Sequence, residues 1–198
     1  IKSRLRFRRL FCHWLGLLEM QGEIMKTLGL IGGMSAESTV SYYQIINREI
    51  NRRLGGNHSA DLLMHSVNFA TIAALQSAGN WSQAGKVLAE SATKLEQMGA
   101  QAIVLATNTM HKVAPAIEEA VKVPLIHVVD ATADAIKARS LHKVALLGTR
   151  FTMSDGFYSE RMQQLGVHTL IPNDQQQYHG QGMPNGERQS RLIPGESG

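Results

Sequence analysis

The 198-residue chain is poor in the residues that cross-link or anchor proteins, with a single cysteine, Cys12, and five prolines. One thiol cannot close an internal disulfide, which favours a reducing compartment, and we expect a cytoplasmic protein. The apolar stretch from Leu10 to Leu18 is interrupted by His13 and is far too short to span a bilayer. We therefore expect no membrane partner.

An excess of positive charge is nearly absent from most of the chain, although the formal net charge is +4. Residues 1–24 hold five basic and two acidic side chains, a net +3, so residues 25–198 carry only +1. Aromatic residues make up only 6% of the chain, and no basic stripe with interleaved aromatics occurs in its body. This distribution argues against a nucleic-acid partner.

Metal and nucleotide motifs are also missing from the sequence. The eight histidines are scattered, no H-E-x-x-H occurs, and no cysteine cluster could hold zinc. Neither G-x-G-x-x-G nor G-x-x-x-x-G-K-[ST] is found, so the glycines after Ile31 do not form a nucleotide-binding fingerprint. We expect no metal site.

What the sequence does contain, from Met25 onward, is a regular alternation of short apolar runs and longer helical periods. Strands alternating with helices of this length predict an α/β fold, with a parallel sheet covered by helices on both faces. One helical period is read from Val40, Tyr43, Ile46, Ile50 and Leu54, which we expect to form its buried face. The predicted strands cover residues 28–31, 61–67, 102–106, 124–129, 144–147 and 167–171, and the predicted helices 40–54, 83–98, 110–121, 131–139 and 154–165.

The two ends of the chain do not continue this alternation. Residues 1–24 are interpreted as an upstream segment outside the fold, with a targeting segment as the alternative. Residues 178–198 contain five glycines and two prolines without apolar periodicity, which predicts disorder. A frameshift or truncation after Gln177 would explain this change of character, and a natural flexible tail is the other explanation.

Three loops follow predicted strands and carry small residues, hydroxyls and amides: Gly32–Ser35, Thr107–His111 and Gly148–Thr152. Parallel sheets bind ligands at the carboxyl ends of their strands, where the backbone N–H groups of helix starts favour anions. The three loops therefore suit a carboxylate or a phosphate.

Each loop also has a purely structural interpretation. Ser35 could be no more than a helix N-cap, and Thr107 to Thr109 could cap the helix that follows them. His111 would then be a surface or packing histidine. Asp130 and Asp134 share a helix face, which we expect to be solvated.

Together, three segments resemble the aspartate/glutamate racemase family, in the family's order. They are residues 26–39 (KTLGLIGGMSAEST), 103–111 (IVLATNTMH) and 144–153 (VALLGTRFTM). The resemblance covers about residues 25–177. It implies an α/β fold of two similar lobes, of which residues 25–138 would be the first and residues 139–177 an incomplete second.

The resemblance also implies a chemistry: a cofactor-independent amino-acid racemase, without PLP, that interconverts the enantiomers of aspartate or glutamate. One group removes the α-proton and a second, on the opposite face, returns one. Thr107 occupies the first acid/base position, where many members have cysteine. The substrate would be bound by Asn108 and Thr109, by Met34 and Ser35, by Thr149 and Thr152, and less securely by Gln76.

The chain departs from the family at both proton-transfer positions. A threonine hydroxyl is a far weaker acid than a thiol, whose pKa is about 8.5. In the threonine-bearing subgroup, which this chain resembles most, the second-lobe cysteine becomes the principal thiol, yet the Gly-Cys-Thr-Glu motif that carries it is absent. We therefore expect impaired activity.

The alternatives are an inactive remnant, a carboxylate-binding pseudoenzyme, or the chemistry of a hydantoin racemase or maleate isomerase. Family members are often dimers, so a homodimer is possible.

Overall fold

A computed structural model describes residues 26–172 and contains two parallel sheets. The larger has four strands in the order β2-β1-β3-β4, and the smaller pairs β5 with β6. The strands are β1 Leu28–Gly32, β2 Leu62–Ser66, β3 Ala102–Leu105, β4 Leu125–Ile126, β5 Lys143–Ala145 and β6 His168–Leu170. The helices are α1 Ala36–Leu54, α2 Phe69–Ser77, α3 Trp81–Gln97, α4 Ala114–Ala120, α5 Val128–Lys137, α6 Arg150–Ser154 and α7 Phe157–Gln164, with a 3-10 helix at Thr109–Val113.

The larger sheet is covered on both faces, because successive side chains of a strand point to opposite sides. On one side Leu28 and Leu30 pack with Tyr42, Ile46 and Ile50 of α1. The other side packs against residues of α3 and α4, in a core that includes Ile31, Ile103, Leu105, Leu88, Leu95 and Ile117. The predicted α/β class with a helix-covered parallel sheet is confirmed.

The smaller sheet is covered on one face only within the described residues. Val144 and Leu146 pack against a cluster formed by α5 and α7, which includes Val129 and Met162. The alternate positions of both strands, Lys143, Ala145, Leu147, His168 and Leu170, are exposed.

The predicted buried face of α1 is partly wrong. Ile46 and Ile50 are buried as expected, but Val40, Tyr43 and Leu54 are about half exposed. The buried stripe instead contains Thr39, Tyr42, Ile46, Glu49 and Ile50. Thr39 belongs to this buried stripe, and its hydroxyl hydrogen-bonds the loop before the helix: it accepts the Gly33 N–H and donates to the Ser35 carbonyl.

Several predicted boundaries also differ from the structure. Strand β4 has only two residues, since His127 already acts as the N-cap of α5. The predicted helix at 110–121 begins as a 3-10 helix. The helix predicted at 154–165 starts only at Phe157, after Gly156, whose φ is 77°, and the short helix Arg150–Ser154 precedes it. Helix α2 was not predicted, because its mostly small, apolar sequence has no amphipathic period.

Among residues 26–172, no helix is long and apolar enough to cross a membrane. The predictions for residues 1–24 and 178–198 lie outside the described residues.

Candidate active site

A cleft of about 530 Å³ opens where β1, β3 and β5 end. All eight sequence-predicted site residues line it: Met34, Ser35, Gln76, Thr107, Asn108, Thr109, Thr149 and Thr152. The structure thus brings together three loops that are far apart in the sequence, and the role of each residue is considered below.

The first loop is shaped by two glycines and a threonine. A side chain on Gly32 would meet Thr39 at 2.3 Å, and one on Gly33, whose φ is +92°, would meet the carbonyl oxygen of Val67 at 2.2 Å. The Gly33 N–H donates to the Thr39 hydroxyl at 2.9 Å. The Ser35 side chain accepts from the Ser38 N–H at 3.2 Å and caps α1, as its structural interpretation predicts. Ser35 therefore caps a helix and lines the cleft at once.

The second loop places Thr107 half-buried at the carboxyl end of β3, with Asn108 exposed and Thr109 half-buried beside it. The Thr107 N–H donates to the Leu105 carbonyl at 2.9 Å. Asn108 precedes the 3-10 helix without a side-chain capping bond, and Val113 does not cap α4 either. The predicted capping role of Thr107 to Thr109 is thus wrong.

The third loop joins the second through a chain of hydroxyls. The Thr149 side chain lies 3.3 Å from the Thr109 hydroxyl and 3.0 Å from the Thr152 hydroxyl, and it caps α6 by accepting from the Thr152 N–H. Thr152 is buried. Each hydroxyl can donate and accept, so this chain can turn toward an oxygen of a ligand.

The cleft is also lined by residues that the sequence analysis did not select, including Ser38, Phe69, Ile72, Phe151 and Tyr158. Burial raises the pKa of Tyr158, whose hydroxyl donates to Thr132 at 3.4 Å. Phe69 and Ile72 belong to the helix that was not predicted, and Tyr158 lies on a helix whose start was misplaced. No sequence motif pointed to Phe69, Ile72 or Tyr158.

The residues described along the cleft carry hydroxyl, amide and apolar groups but no carboxylate, ammonium, guanidinium or thiol. Among these described residues, neutral donors and the N–H groups of helix starts are the groups that can hold an anion. Within residues 26–172, no group of three His, Cys, Asp or Glu side chains is placed to hold a metal ion.

Behind the second loop lies a pair of buried histidines, so of the two positions expected for His111, surface or packing, the structure has the second. His111 and His127 are each 2% exposed, and their rings meet edge to face with centroids 4.5 Å apart. Burial, helped by the neighbouring His127, lowers the pKa of His111 to about 3. Burial and the nearby Arg161 lower that of His127. Both rings are therefore neutral at pH 7.

Asp130 is not on a solvated face as expected, because Arg161 of α7 binds it with two hydrogen bonds of 2.5 and 2.7 Å. Burial raises the pKa of Asp130, but the hydrogen bonds from Arg161 outweigh burial and lower it overall. Asp134 pairs at the helix surface with Lys137 at 3.5 Å. The Asp130 ion pair thus ties α5 to α7.

The comparisons with known proteins decide the family. The family model described as Asp/Glu/Hydantoin racemase matches residues 31–191, most of the chain. The chain belongs to the Asp/Glu/hydantoin racemase family. The predicted resemblance is confirmed.

Solved structures of the family share the fold. A Yersinia pestis protein assigned to the Asp/Glu racemases is 48% identical, with a TM-score of 0.75 over 78% of this chain and 67% of that one. An aspartate racemase homologue from Pyrococcus horikoshii OT3 is 35% identical, with a TM-score of 0.68 over 78% of this chain and 68% of that one.

Among curated relatives, the broad specificity amino-acid racemase RacX of Bacillus subtilis (strain 168) is 24% identical over 153 residues. The match covers 76% of this chain and 66% of RacX, so the chain spans slightly less than two thirds of that relative's length.

Proposed function

We propose that the cleft binds a small acidic amino acid, aspartate or glutamate, as part of a cofactor-independent racemase. The observation that carries this proposal is the convergence of three loops, each containing one of the family-like motifs, on one cleft of about 530 Å³. A cleft of this size is ample for such a substrate.

Neutral donors would hold the substrate carboxylates. The start of α1 beside Ser35 offers free backbone N–H groups and the positive end of the helix dipole. Asn108 and the linked hydroxyls of Thr109, Thr149 and Thr152 face the same space, with Met34 and Gln76 on its walls. Donors fixed before the substrate arrives stabilise the charge that develops at the α-carbon as its proton leaves.

Thr107 would be the proton-transfer group on one face of the α-carbon. Its position at the end of β3 and at the wall of the cleft supports this role. A hydroxyl is a much weaker acid than a thiol, so its conjugate base is scarce at neutral pH. Thr107 would therefore work slowly unless a stronger group acts on the other face.

No second proton-transfer group is supplied by the residues described along the cleft, and the Gly-Cys-Thr-Glu motif does not occur in the 198 residues. We therefore propose that this polypeptide by itself binds the substrate but exchanges its α-proton slowly or not at all.

The test is Cα–H exchange of L- and D-aspartate in heavy water, followed by proton NMR, with binding of L-aspartate measured by titration calorimetry. We expect binding with little exchange. Thr107→Val should remove any residual exchange, because valine keeps the shape of threonine without its hydroxyl.

The matched control is Thr93→Val on α3, where the hydroxyl only bonds the Ala89 carbonyl of its own helix. The control should bind and exchange like the unaltered chain. Rapid exchange of both enantiomers by the unaltered chain would overturn the proposed impairment. Absence of binding would overturn the proposed substrate class.

A binding protein without turnover is the second candidate, favoured by threonine at position 107 and by the neutral cleft lining. Succinate, which resembles aspartate without its amino group, should then bind as well as aspartate. Hydantoin racemase or maleate isomerase chemistry is the remaining alternative. Exchange at C5 of a hydantoin, or isomerisation of maleate, would reveal it.

At the level of the whole chain, we propose residues 25–138 as the first lobe and residues 139–177 as the beginning of the second. We propose the cytoplasm as its compartment, with a homodimer as one possible assembly.

A further inference from the structure

His111 joins the second loop to the start of α5 through both of its ring nitrogens. Its Nδ1 lies 2.6 Å from the carbonyl oxygen of Thr107, and its Nε2 accepts the N–H of Val128 at 3.2 Å. Since Nε2 accepts, the single proton of the neutral ring must reside on Nδ1, which then donates to Thr107. The hydrogen bonds thus fix one tautomer.

The two hydrogen-bond partners of the His111 ring, Thr107 and Val128, lie at the cleft and at the start of α5. Thr107 is the residue at the end of β3 that faces the cleft, and Val128 opens α5, where backbone N–H groups lack partners within the helix. Helix α5 in turn holds α7 through Asp130 with Arg161 and through Thr132 with Tyr158, another cleft residue. His111 therefore connects the Thr107 loop to the opposite wall of the cleft.

We propose that His111 is a positioning residue that fixes the backbone of Thr107 against the start of α5 through a neutral ring protonated on Nδ1. It does not line the cleft and takes no proton from the substrate. The surroundings allow a neutral ring, because the charged groups near His111 and His127 are Asp130 of α5 and Arg161 of α7, which neutralise each other. The burial that lowers its pKa keeps the ring neutral across the physiological range.

A buried histidine could also serve packing alone, and two substitutions separate these roles. The amide nitrogen of asparagine stands as many bonds from Cα as Nδ1, so His111→Asn can keep the donor to Thr107. The amide oxygen of glutamine stands as many bonds away as Nε2, so His111→Gln can keep the acceptor for Val128. His111→Ala keeps neither, and His58→Asn at an exposed position is the matched control.

The first measurement does not depend on activity: the tautomer and titration of His111 in 15N-histidine-labelled protein, by two-bond 15N–1H correlation. We expect a neutral ring with its proton on Nδ1 down to pH 4.5. A proton on Nε2, or titration near pH 6.5, would overturn the proposal.

The second measurement rests on the proposed function and follows the binding and exchange of L-aspartate in the four variants. Small displacements of reacting groups can lower rates by about 100-fold. We expect His58→Asn to stay within about threefold of the unaltered chain. His111→Ala should lose about tenfold or more in the exchange rate at saturating aspartate or, where exchange is undetectable, in affinity. His111→Asn and His111→Gln, which each keep one of the two hydrogen bonds, should lose less than His111→Ala.

The two hypotheses can fail separately. If the unaltered chain neither binds nor exchanges aspartate but shows the Nδ1 tautomer, the proposed function fails and the geometry of His111 stands. If aspartate binds but His111→Asn is as impaired as His111→Ala, or no His111 variant is impaired, the positioning role is wrong.

Discussion

At the residue scale, the first loop of the cleft depends on the backbone conformation of Gly33. Its φ of +92° is rarely adopted by residues with a side chain, and a Cβ would meet the Val67 carbonyl oxygen at 2.2 Å. Because that contact is with backbone, it cannot be relieved by turning a side chain. We predict that Gly33→Ala lowers the free energy of unfolding by roughly 2–4 kcal/mol, combining left-handed strain with overpacking.

Gly99→Ala is the matched control, since Gly99 has a similar φ of +103° but nothing within 4 Å of an added Cβ. It should cost only about 1–2 kcal/mol. Urea unfolding followed by circular dichroism measures both variants. Equal losses would show that the contact with Val67 is relieved by movement of the loop.

The buried histidine pair makes stability depend on pH in a defined direction. In the unfolded chain both residues bind protons near pH 6.5, whereas the folded chain holds the pKa of His111 at about 3 and that of His127 at about 4. Their contribution is complete above pH 6.5 and is lost as pH falls toward 4, because the unfolded state takes up more protons. At about 1.4 kcal/mol per pKa unit, the loss amounts to several kcal/mol.

Urea unfolding between pH 7.5 and 4.5 tests this prediction. His111→Asn removes one of the two groups, so its unfolding free energy should fall less steeply with decreasing pH, whatever its value at pH 7.5. Identical slopes in variant and parent would show that His111 ionises normally in the folded chain.

At the scale of elements, a cluster of four side chains holds the third loop in place: Lys112, Trp81, Asp155 and Phe151. Lys112 lies 4.2 Å above the ring of Trp81 at the start of α3 and 2.9 Å from the Asp155 carboxylate after α6. Trp81 meets Phe151 of α6 edge to face, at 5.6 Å between ring centroids. These contacts link α3, the 3-10 helix and α6, and α6 contributes Thr152 to the cleft.

We predict that Lys112→Met, which keeps the apolar stem, loosens α6 and weakens L-aspartate binding about two- to fivefold. The stability loss should stay within about 1 kcal/mol, as is typical of partly exposed ion pairs and cation–π contacts. Calorimetric titration measures the binding, and a change in tryptophan fluorescence should accompany it. Lys86→Met on the exposed side of α3 should change neither quantity, and a parent-like affinity for Lys112→Met would exclude the linkage.

The elements also show what the sequence could predict. The apolar run before Gly32 and the run before Thr107 predicted β1 and β3 correctly, because buried central strands need continuous apolar residues. The loops after them were located for the same reason, and five of the eight selected residues, Met34, Ser35, Thr107, Asn108 and Thr109, lie in these two loops.

What the sequence missed depended on tertiary contacts. Tyr42 is buried while Tyr43 is exposed, and the buried side of α1 also carries Thr39, whose hydroxyl accepts the Gly33 N–H of the first loop. His127 ends β4 early by capping α5 with its own side chain. The sequence left surface and packing positions open for His111, because its two partners, Thr107 and Val128, are brought to it only by the fold.

At the scale of the whole molecule, the smaller sheet exposes apolar side chains on the face that residues 26–172 leave uncovered. Ala145 pairs with Leu170 in the parallel register, and Leu147 continues the same side of β5. Leu147 is 75% exposed and Leu170 48%, next to the charged Lys143. Contiguous exposed apolar groups of this kind favour association between molecules.

We predict that the chain self-associates in a concentration-dependent manner and binds a hydrophobic dye, and that Leu170→Thr reduces both. Threonine suits an exposed strand position, so the variant should keep the parallel pairing of β5 and β6. Leu147 is a poorer choice because it also lines the cleft. Met98→Gln, which removes an exposed apolar side chain at the end of α3, is the control and should leave association unchanged.

Sedimentation velocity over a hundredfold range of concentration measures the effect. A monodisperse monomer over that range would show that the exposed face of the smaller sheet does not drive assembly, whereas equal effects of Leu170→Thr and Met98→Gln would assign association to general surface hydrophobicity.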